Sequence, residues 1–196
     1  MKTLNEVLKH NFSNDFNYLA DHYKMDKSYH NDINDYTGGS RSINGVLWNS
    51  HKGNYDDALV KSNESIKNLD NALSLHKTPQ KMTVYSGSKH DPRKMKNAEG
   101  IVHHPAYLST SLKRNVAEKF STMNQTYDES VDKPARHLYK IKVPQGSSGA
   151  FVAHHTVFPD ENEFILPRGT NLKHEHTQSR ETPTKIFHTH HMSVVK

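Results

Sequence analysis

The stretch Phe158-Pro-Asp-Glu-Asn-Glu-Phe-Ile-Leu-Pro-Arg-Gly-Thr170 decides how this chain is read. Glu161 and Glu163 stand one residue apart and run into the apolar triplet Phe164-Ile165-Leu166. On a strand, residues two apart face the same way, so both carboxylates look into one space. Two acids that close repel, and at least one titrates abnormally unless a cation or a hydroxyl is supplied nearby. Pro167-Arg168-Gly169 supplies the turn chemistry that ends the strand. The plain alternative is an exposed strand start with two solvated acids, and structural charge clusters of that kind outnumber catalytic ones. The remainder of the chain has to choose between them.

Upstream, the apolar spacing divides the chain in two. Leu4, Val7, Leu8 and Phe12 recur at helical intervals, as do Phe16, Leu19, Ala20 and Tyr23, then Tyr29, Ile33 and Tyr36. Gly38-Gly39 is the expected stop of that last helix, and Ser40 or Ser42 the cap of the next, which carries Ile43, Val46 and Leu47. A final helix with Ile66, Leu69 and Leu73 on one stripe ends before Thr78-Pro79. After Pro79 the pattern turns to strands. Expected strands are Met82 to Tyr85, ending at Ser86-Gly87, and Tyr107-Leu108 leading into Ser109-Thr110-Ser111. A helix with Leu112, Val116, Ala117 and Phe120 inward follows, capped by Ser111. Ser121 to Pro134 reads as a loop, His137 to Val143 and Phe151 to Ala153 as strands, and Thr184 to Val195 as one or two more. There is no internal repeat and no linker. A single α+β domain over 1–196 results, helical over 1–77 and β-rich over 78–196.

Composition narrows the function classes. The 196 residues carry 26 Lys and Arg against 21 Asp and Glu, a net charge of +5 that favours an acidic partner such as a nucleic acid without demanding one. Hydrophobic content of 33% is low, yet 9 tyrosines and 7 phenylalanines still suffice for a core. The absence of cysteine excludes disulfides, thiolate chemistry and cysteine zinc sites. Met1-Lys-Thr-Leu-Asn-Glu lacks a signal-peptide pattern, and no apolar run reaches membrane-span length, so the expectation is a soluble cytoplasmic protein without a membrane partner.

Four segments in order then carry a resemblance: Tyr36-Thr-Gly-Gly-Ser-Arg-Ser-Ile-Asn44, Tyr85-Ser86-Gly87, Leu108-Ser109-Thr110-Ser111 and Glu161-x-Glu163. Over roughly Tyr23 to Leu172 the chain resembles the arginine-Ser-Glu class of mono-ADP-ribosyltransferases, which includes clostridial binary toxins, Rho-modifying exoenzymes and the Alt and Mod enzymes of T-even phages. The resemblance implies two small sheets packed roughly at right angles, with an NAD+ cleft between them and the helices to one side. It also implies a toxin-like or phage-effector-like glycosyltransferase that uses NAD+ as substrate. Cleaving nicotinamide from NAD+ leaves an oxocarbenium-like ribose, which a fixed carboxylate stabilises. By resemblance that carboxylate is Glu163, while Glu161 orients or deprotonates the acceptor and the Ser109 hydroxyl holds Glu163 in place. Tyr85, Ser86, Gly87, Asn44, Thr110 and Phe120 would line the cofactor. For Asn44 and Phe120 an ordinary helix-surface amide and a core aromatic are equally good readings.

One motif departs from the family pattern. The family carries Arg where this chain has Ser86, and a neutral hydroxyl grips phosphate far less well than a guanidinium. Either Lys89, Arg93, Lys94 or Arg41 replaces that cation, or NAD+ binds more weakly, or the chain is a non-catalytic RNA- or protein-binding module on a transferase scaffold. The relocated cation is preferred, because Lys89, Arg93 and Lys94 share one loop. The acceptor is then an arginine of a transcription or translation protein, or RNA, with an antitoxin or other regulator as a further partner. Histidines are frequent at His103-His104, His154-His155, His174/His176 and His188/His190/His191. On a strand His188 and His190 share a face, as do His174 and His176, which is workable for a zinc ion if Glu175, an aspartate or a third histidine converges. No HExxH-type spacing occurs, so no metal is expected, and a basic, stackable surface for a nucleic-acid or phosphate partner is preferred.

Overall fold

The computed structural model describes Leu19, Tyr23, residues 27–53 and residues 57–195. The expected helix around Leu4 to Phe12 lies outside the described residues, whereas Leu19 and Tyr23 are buried. Helix α1 spans His30–His51 and α2 Asp57–Leu75. Gly38-Gly39 does not end α1. The helix continues through a kink at Gly39, whose φ of −158° and ψ of 44° are non-helical. Ile33, Tyr36, Ile43 and Leu47 of α1 are buried, as are Ile66, Leu69, Ala72 and Leu73 of α2, in the 3.6-residue rhythm that an inward stripe requires.

The β-rich part contains β1 (Met82–Ser88), a short helix α3 (Pro92–Met95), β2 (Ile101–His104) and β3 (Leu108–Ser111). Helix α4 (Arg114–Met123) follows, then β4 (Thr126–Asp128), β5 (Lys133–Val143), β6 (Ala150–Phe151), β7 (Glu163–Leu166), β8 (Thr170–Glu181) and β9 (Ile186–Val195). Their hydrogen-bonded order is β2-β8-β9-β5-β1-β3-β7-β6, with β4 on β5. The β5–β9 pair is parallel and the others antiparallel. Strands β1 and β3 meet at one register position, Tyr85 opposite Ser111. The expected two small sheets are thus two wings of one ladder, β2-β8-β9-β5-β1 and β3-β7-β6, joined at a narrow seam.

Strand β7 is buried on both faces, with Phe164, Ile165 and Leu166 all at zero exposure. Each such side chain contributes about 1.5–3 kcal/mol on leaving water. That apolar setting fixes the strand, and it forces the first residue, Glu163, out of water as well. Arg168, in the turn after β7, forks onto Asp70 of α2 at 2.7–3.0 Å, and Tyr107 donates to the same carboxylate at 2.8 Å. The turn residues therefore also clamp the helical part against the strands.

Three elements differ from expectation. Ser121 to Pro134 is not all loop, because Thr126–Asp128 pairs with Lys133–Ala135. Strand β8 was not expected over its length, and most of its residues are partly or fully exposed. The Ser-Thr-Ser run lies inside β3, and α4 starts after Lys113, with Ser111 Oγ accepting from the Lys113 amide at 2.9 Å.

Candidate active site

The strand expected to run from Glu161 to Leu166 begins only at Glu163. Glu161 closes a 3-10 turn, Pro159–Glu161, and Asn162 sits in the left-handed region at φ 47°. The two glutamates therefore do not share a face through strand alternation. The turn is pinned from β3: Ser111 Oγ donates to the Glu161 carbonyl at 2.6 Å, and the Leu112 amide donates to the Asn162 carbonyl at 3.1 Å. Glu161 remains half-buried, and burial moves its carboxyl above the ordinary range.

Glu163 is 6% exposed, more enclosed than an acid in an open cleft. Its pKa is pushed up to about 7, first by burial and then by the charge of Glu161, while a hydrogen bond from Ser109 pulls the other way. Register explains the contact. Ser111 lies opposite Glu163 and Ser109 opposite Ile165, so Ser109 is the diagonal neighbour of Glu163 on the same face.

Ser109 is itself held. Its Oγ lies 3.1 Å from Tyr36 Oη, which receives Asn44 Nδ2 at 3.2 Å. Asn44 also donates to the Tyr107 carbonyl at 3.1 Å and accepts from the Tyr107 amide at 3.2 Å. Burial and the Glu163 charge push the Tyr36 hydroxyl well above its usual value, so it stays a donor. With Glu163 ionised, only one direction satisfies every group: Asn44 to Tyr36, Tyr36 to Ser109, Ser109 to Glu163. The chain spans α1, β3 and β7. Tyr36 belongs to the motif read from the sequence, but its part in this relay was not legible there.

Other expected site residues are spent within the protein. Ser86 is buried, and its hydroxyl donates to the Ser109 carbonyl at 2.9 Å, bridging the seam between the two wings instead of offering itself to a phosphate. Thr110 is buried on the face opposite Ser109 and donates to the Phe164 carbonyl. Gly87 is a packing residue: a Cβ there would lie 2.2 Å from the Ser121 amide and 2.3 Å from the Ala117 carbonyl, so only glycine lets α4 rest on β1. Tyr85 shares Gly87's face, and Phe120 is half-buried on α4. Arg93 forks onto Asp91 at 2.7–3.0 Å and is engaged there. Lys89 and Lys94 line a cavity of about 250 Å³. Arg41 is exposed on α1 and makes no hydrogen bond or ion pair with a described residue.

A model of the ADP-ribosyltransferase exoenzyme family matches residues 14–193. The chain belongs to that family. The Mono-ADP-ribosyltransferase C3 of Clostridium botulinum C phage is 25% identical over 172 residues, covering 76% of this chain and 64% of the relative. The NAD(+)--arginine ADP-ribosyltransferase EFV of Enterococcus faecalis is 33% identical over 110 residues, 56% of this chain and 20% of that protein. The chain thus spans less than two thirds of either curated relative. In fold, the C3stau2 structure from S. aureus with NAD aligns over 100% of this chain and 97% of its own, with a TM-score of 0.66 at 20% identity. The α+β fold expected for the family is the observed one. Among the described residues no helix is long and apolar enough to cross a membrane.

Proposed function

We propose that the chain is an NAD+-dependent mono-ADP-ribosyltransferase in which Glu163 faces the ribose as nicotinamide departs. What carries this reading is the directed relay from Asn44 through Tyr36 and Ser109 to a carboxyl with a pKa of about 7. A positive charge developing on the ribose favours the ionised form of Glu163, so the substrate draws out the charge that stabilises it. Ser109 is a positioning residue in this scheme, and Tyr36 and Asn44 act through it. Glu161, at the turn before β7, meets the acceptor. Because Ser86 and Thr110 are engaged internally, the dinucleotide phosphates fall to exposed cations, Lys89, Lys94 or Arg41, with Phe120 left for the nicotinamide end. Residues 1–196 act as one transferase domain, a reading supported by the single buried cluster from Leu19 to Met192. Action in the cytoplasm is consistent with the lack of cysteine.

The acceptor is a protein guanidinium, supported by the Glu-x-Glu pair and by the arginine-specific name of the Enterococcus relative. An RNA acceptor is the second reading, favoured by the outer face of the β8–β9–β5 wing. There the Phe187 ring is ringed by Arg180 at 4.8 Å, Arg136 at 5.4 Å and Lys185 at 6.0 Å, a cationic aromatic platform of the kind that bases stack on. Radiolabelled NAD+ incubated with the protein and cell extract separates the possibilities. Label removed by protease and resistant to nuclease marks a protein acceptor, and the converse marks RNA. Absence of both label and nicotinamide release would leave the non-catalytic module.

A further inference from the structure

The second buried set of ionisable groups lies on the other wing, and the transferase chemistry does not use it. Parallel pairing of β5 with β9 sets His137 opposite His188 and Tyr139 opposite His190, and the three imidazoles form a stacked group, 2%, 3% and 0% exposed for His188, His137 and His190. His137 Nδ1 and His190 Nε2 point at each other, 2.9 Å apart. The carboxylate of Asp91, which caps α3, completes a trio whose ligand atoms all lie within 4.8 Å of one another.

We propose that Asp91, His137 and His190 bind a divalent transition-metal ion of zinc's class.

Four observations support the site. Two nitrogens bound to a tetrahedral zinc at 2.0–2.1 Å stand about 3.3 Å apart, so the two rings need to separate by only about 0.4 Å. The outer nitrogens already have the partners that metal-bound imidazoles need: His137 Nε2 lies 3.1 Å from Thr126 Oγ1, and His190 Nδ1 lies 2.8 Å from Thr177 Oγ1. Both hydroxyls can accept. Each ring can therefore carry its proton outward and turn a lone pair inward, and metal uptake needs a tautomer change without net proton release. Two carboxylates stand at the rings, Asp91 and Asp128, the latter 3.1 Å from His188 Nε2; Arg93 contacts both, and Lys89 and Lys94 lie on the wall of the adjoining cavity. Finally, the 250 Å³ cavity is lined by Asp91 and His137, which gives an entry path and room for a fourth ligand such as water. Arg93 already engages both oxygens of Asp91, Oδ1 from its amide and Nε, and Oδ2 from Nε and Nη2, so the ion would take the place of one guanidinium contact. The ion would tie the β1–α3 loop to the parallel strand pair. The assignment does not depend on the transferase reading.

Chelator-treated full-length protein titrated with Co2+ or Zn2+ tests it. One saturable equivalent is expected, with visible absorption of low-coordinate cobalt and a raised melting temperature. Asp91→Asn keeps the helix cap and removes the charge, so it tests the site without removing a buried ring. It should weaken binding by more than the roughly 10–100-fold that loss of an outer partner of a ligand costs, and His190→Asn should abolish it. His176→Asn, which alters the separate stacked pair His176–His191 on the outer face, should leave binding unchanged. The proposal is overturned if no saturable equivalent binds. It is equally overturned if Asp91→Asn retains full affinity, or if His176→Asn is the variant that loses the ion.

Discussion

The β3-β7 wing and the β5-β9 wing both bury ionisable side chains, but they hold them by different means. In the first, one carboxyl loses its water and is raised to about 7, with a single donor, Ser109, supporting its charged form. In the second, three imidazoles lose theirs and burial pushes them down, His137 to about 4. Each of those rings has a hydroxyl or carboxylate partner on at least one nitrogen. Burial disfavours the charged form in both groups. The lesson is that a neutralised buried acid is not yet a catalytic one. Glu163 differs because its charged form has a built supporter and because an incoming cationic ribose would supply the missing charge, whereas the imidazoles are satisfied as neutral ligands.

The largest effect expected from this contrast is on chemistry. Glu163→Gln keeps shape and removes charge, and nicotinamide release should fall by about 1000-fold or more with the fold intact. A loss of under tenfold would place catalysis elsewhere. Next comes stability. Below pH 4.5 Glu163 is protonated in both states. Between 4.5 and 7 only the unfolded chain ionises, so stability falls as pH rises, by about 3 kcal/mol in total. Denaturant melts should show Glu163→Gln gaining on the native chain by that amount between pH 4.5 and 8. The imidazole wing has the opposite sign. The unfolded chain takes up protons below pH 6.5 and folded His137 only near 4, so acid destabilises metal-free protein, and His137→Gln should flatten that limb. Because the Glu163 limb runs the other way over the same window, the test belongs in Glu163→Gln: stability there that is flat from pH 4 to 6.5 would deny the neutral imidazole cluster.

A smaller effect belongs to Ser109→Ala. Loss of its hydrogen bond to the ionised carboxyl should cost roughly tenfold in nicotinamide release, about 1.4 kcal/mol, and should move the acid midpoint of the rate upward. An unmoved midpoint would make Ser109 merely structural. Smallest is Tyr36→Phe, which cuts the relay one step further back. A few-fold loss in kcat with little change in KM is expected, and an unchanged kcat would show that Ser109 needs no such backing.

Much of the first wing was legible in the sequence, and little of the second. The apolar triplet after Glu163 announces β7, and the position of Ser109 follows once β3 and β7 pair. What hid the true geometry before Glu163 was Asn162, whose left-handed backbone starts the strand two residues late and leaves Glu161 outside it. The roles of Ser86 and Gly87 were hidden as well. A serine bridging a seam and a glycine under a helix look, in sequence, like any turn pair. Strand β8 escaped because Leu172 is its one buried residue, leaving no alternation to read. His137 and His190 lie 53 residues apart, and only the parallel pairing of β5 with β9 brings them together.

The pH dependence of kcat/KM for nicotinamide release reports ionisation in the free enzyme and bears most directly on Glu163. An acid limb with its midpoint near pH 7 is expected, rising to a plateau above it and absent from the residual activity of Glu163→Gln. A rate constant flat from pH 5 to 8 would contradict a catalytic Glu163 held near neutrality.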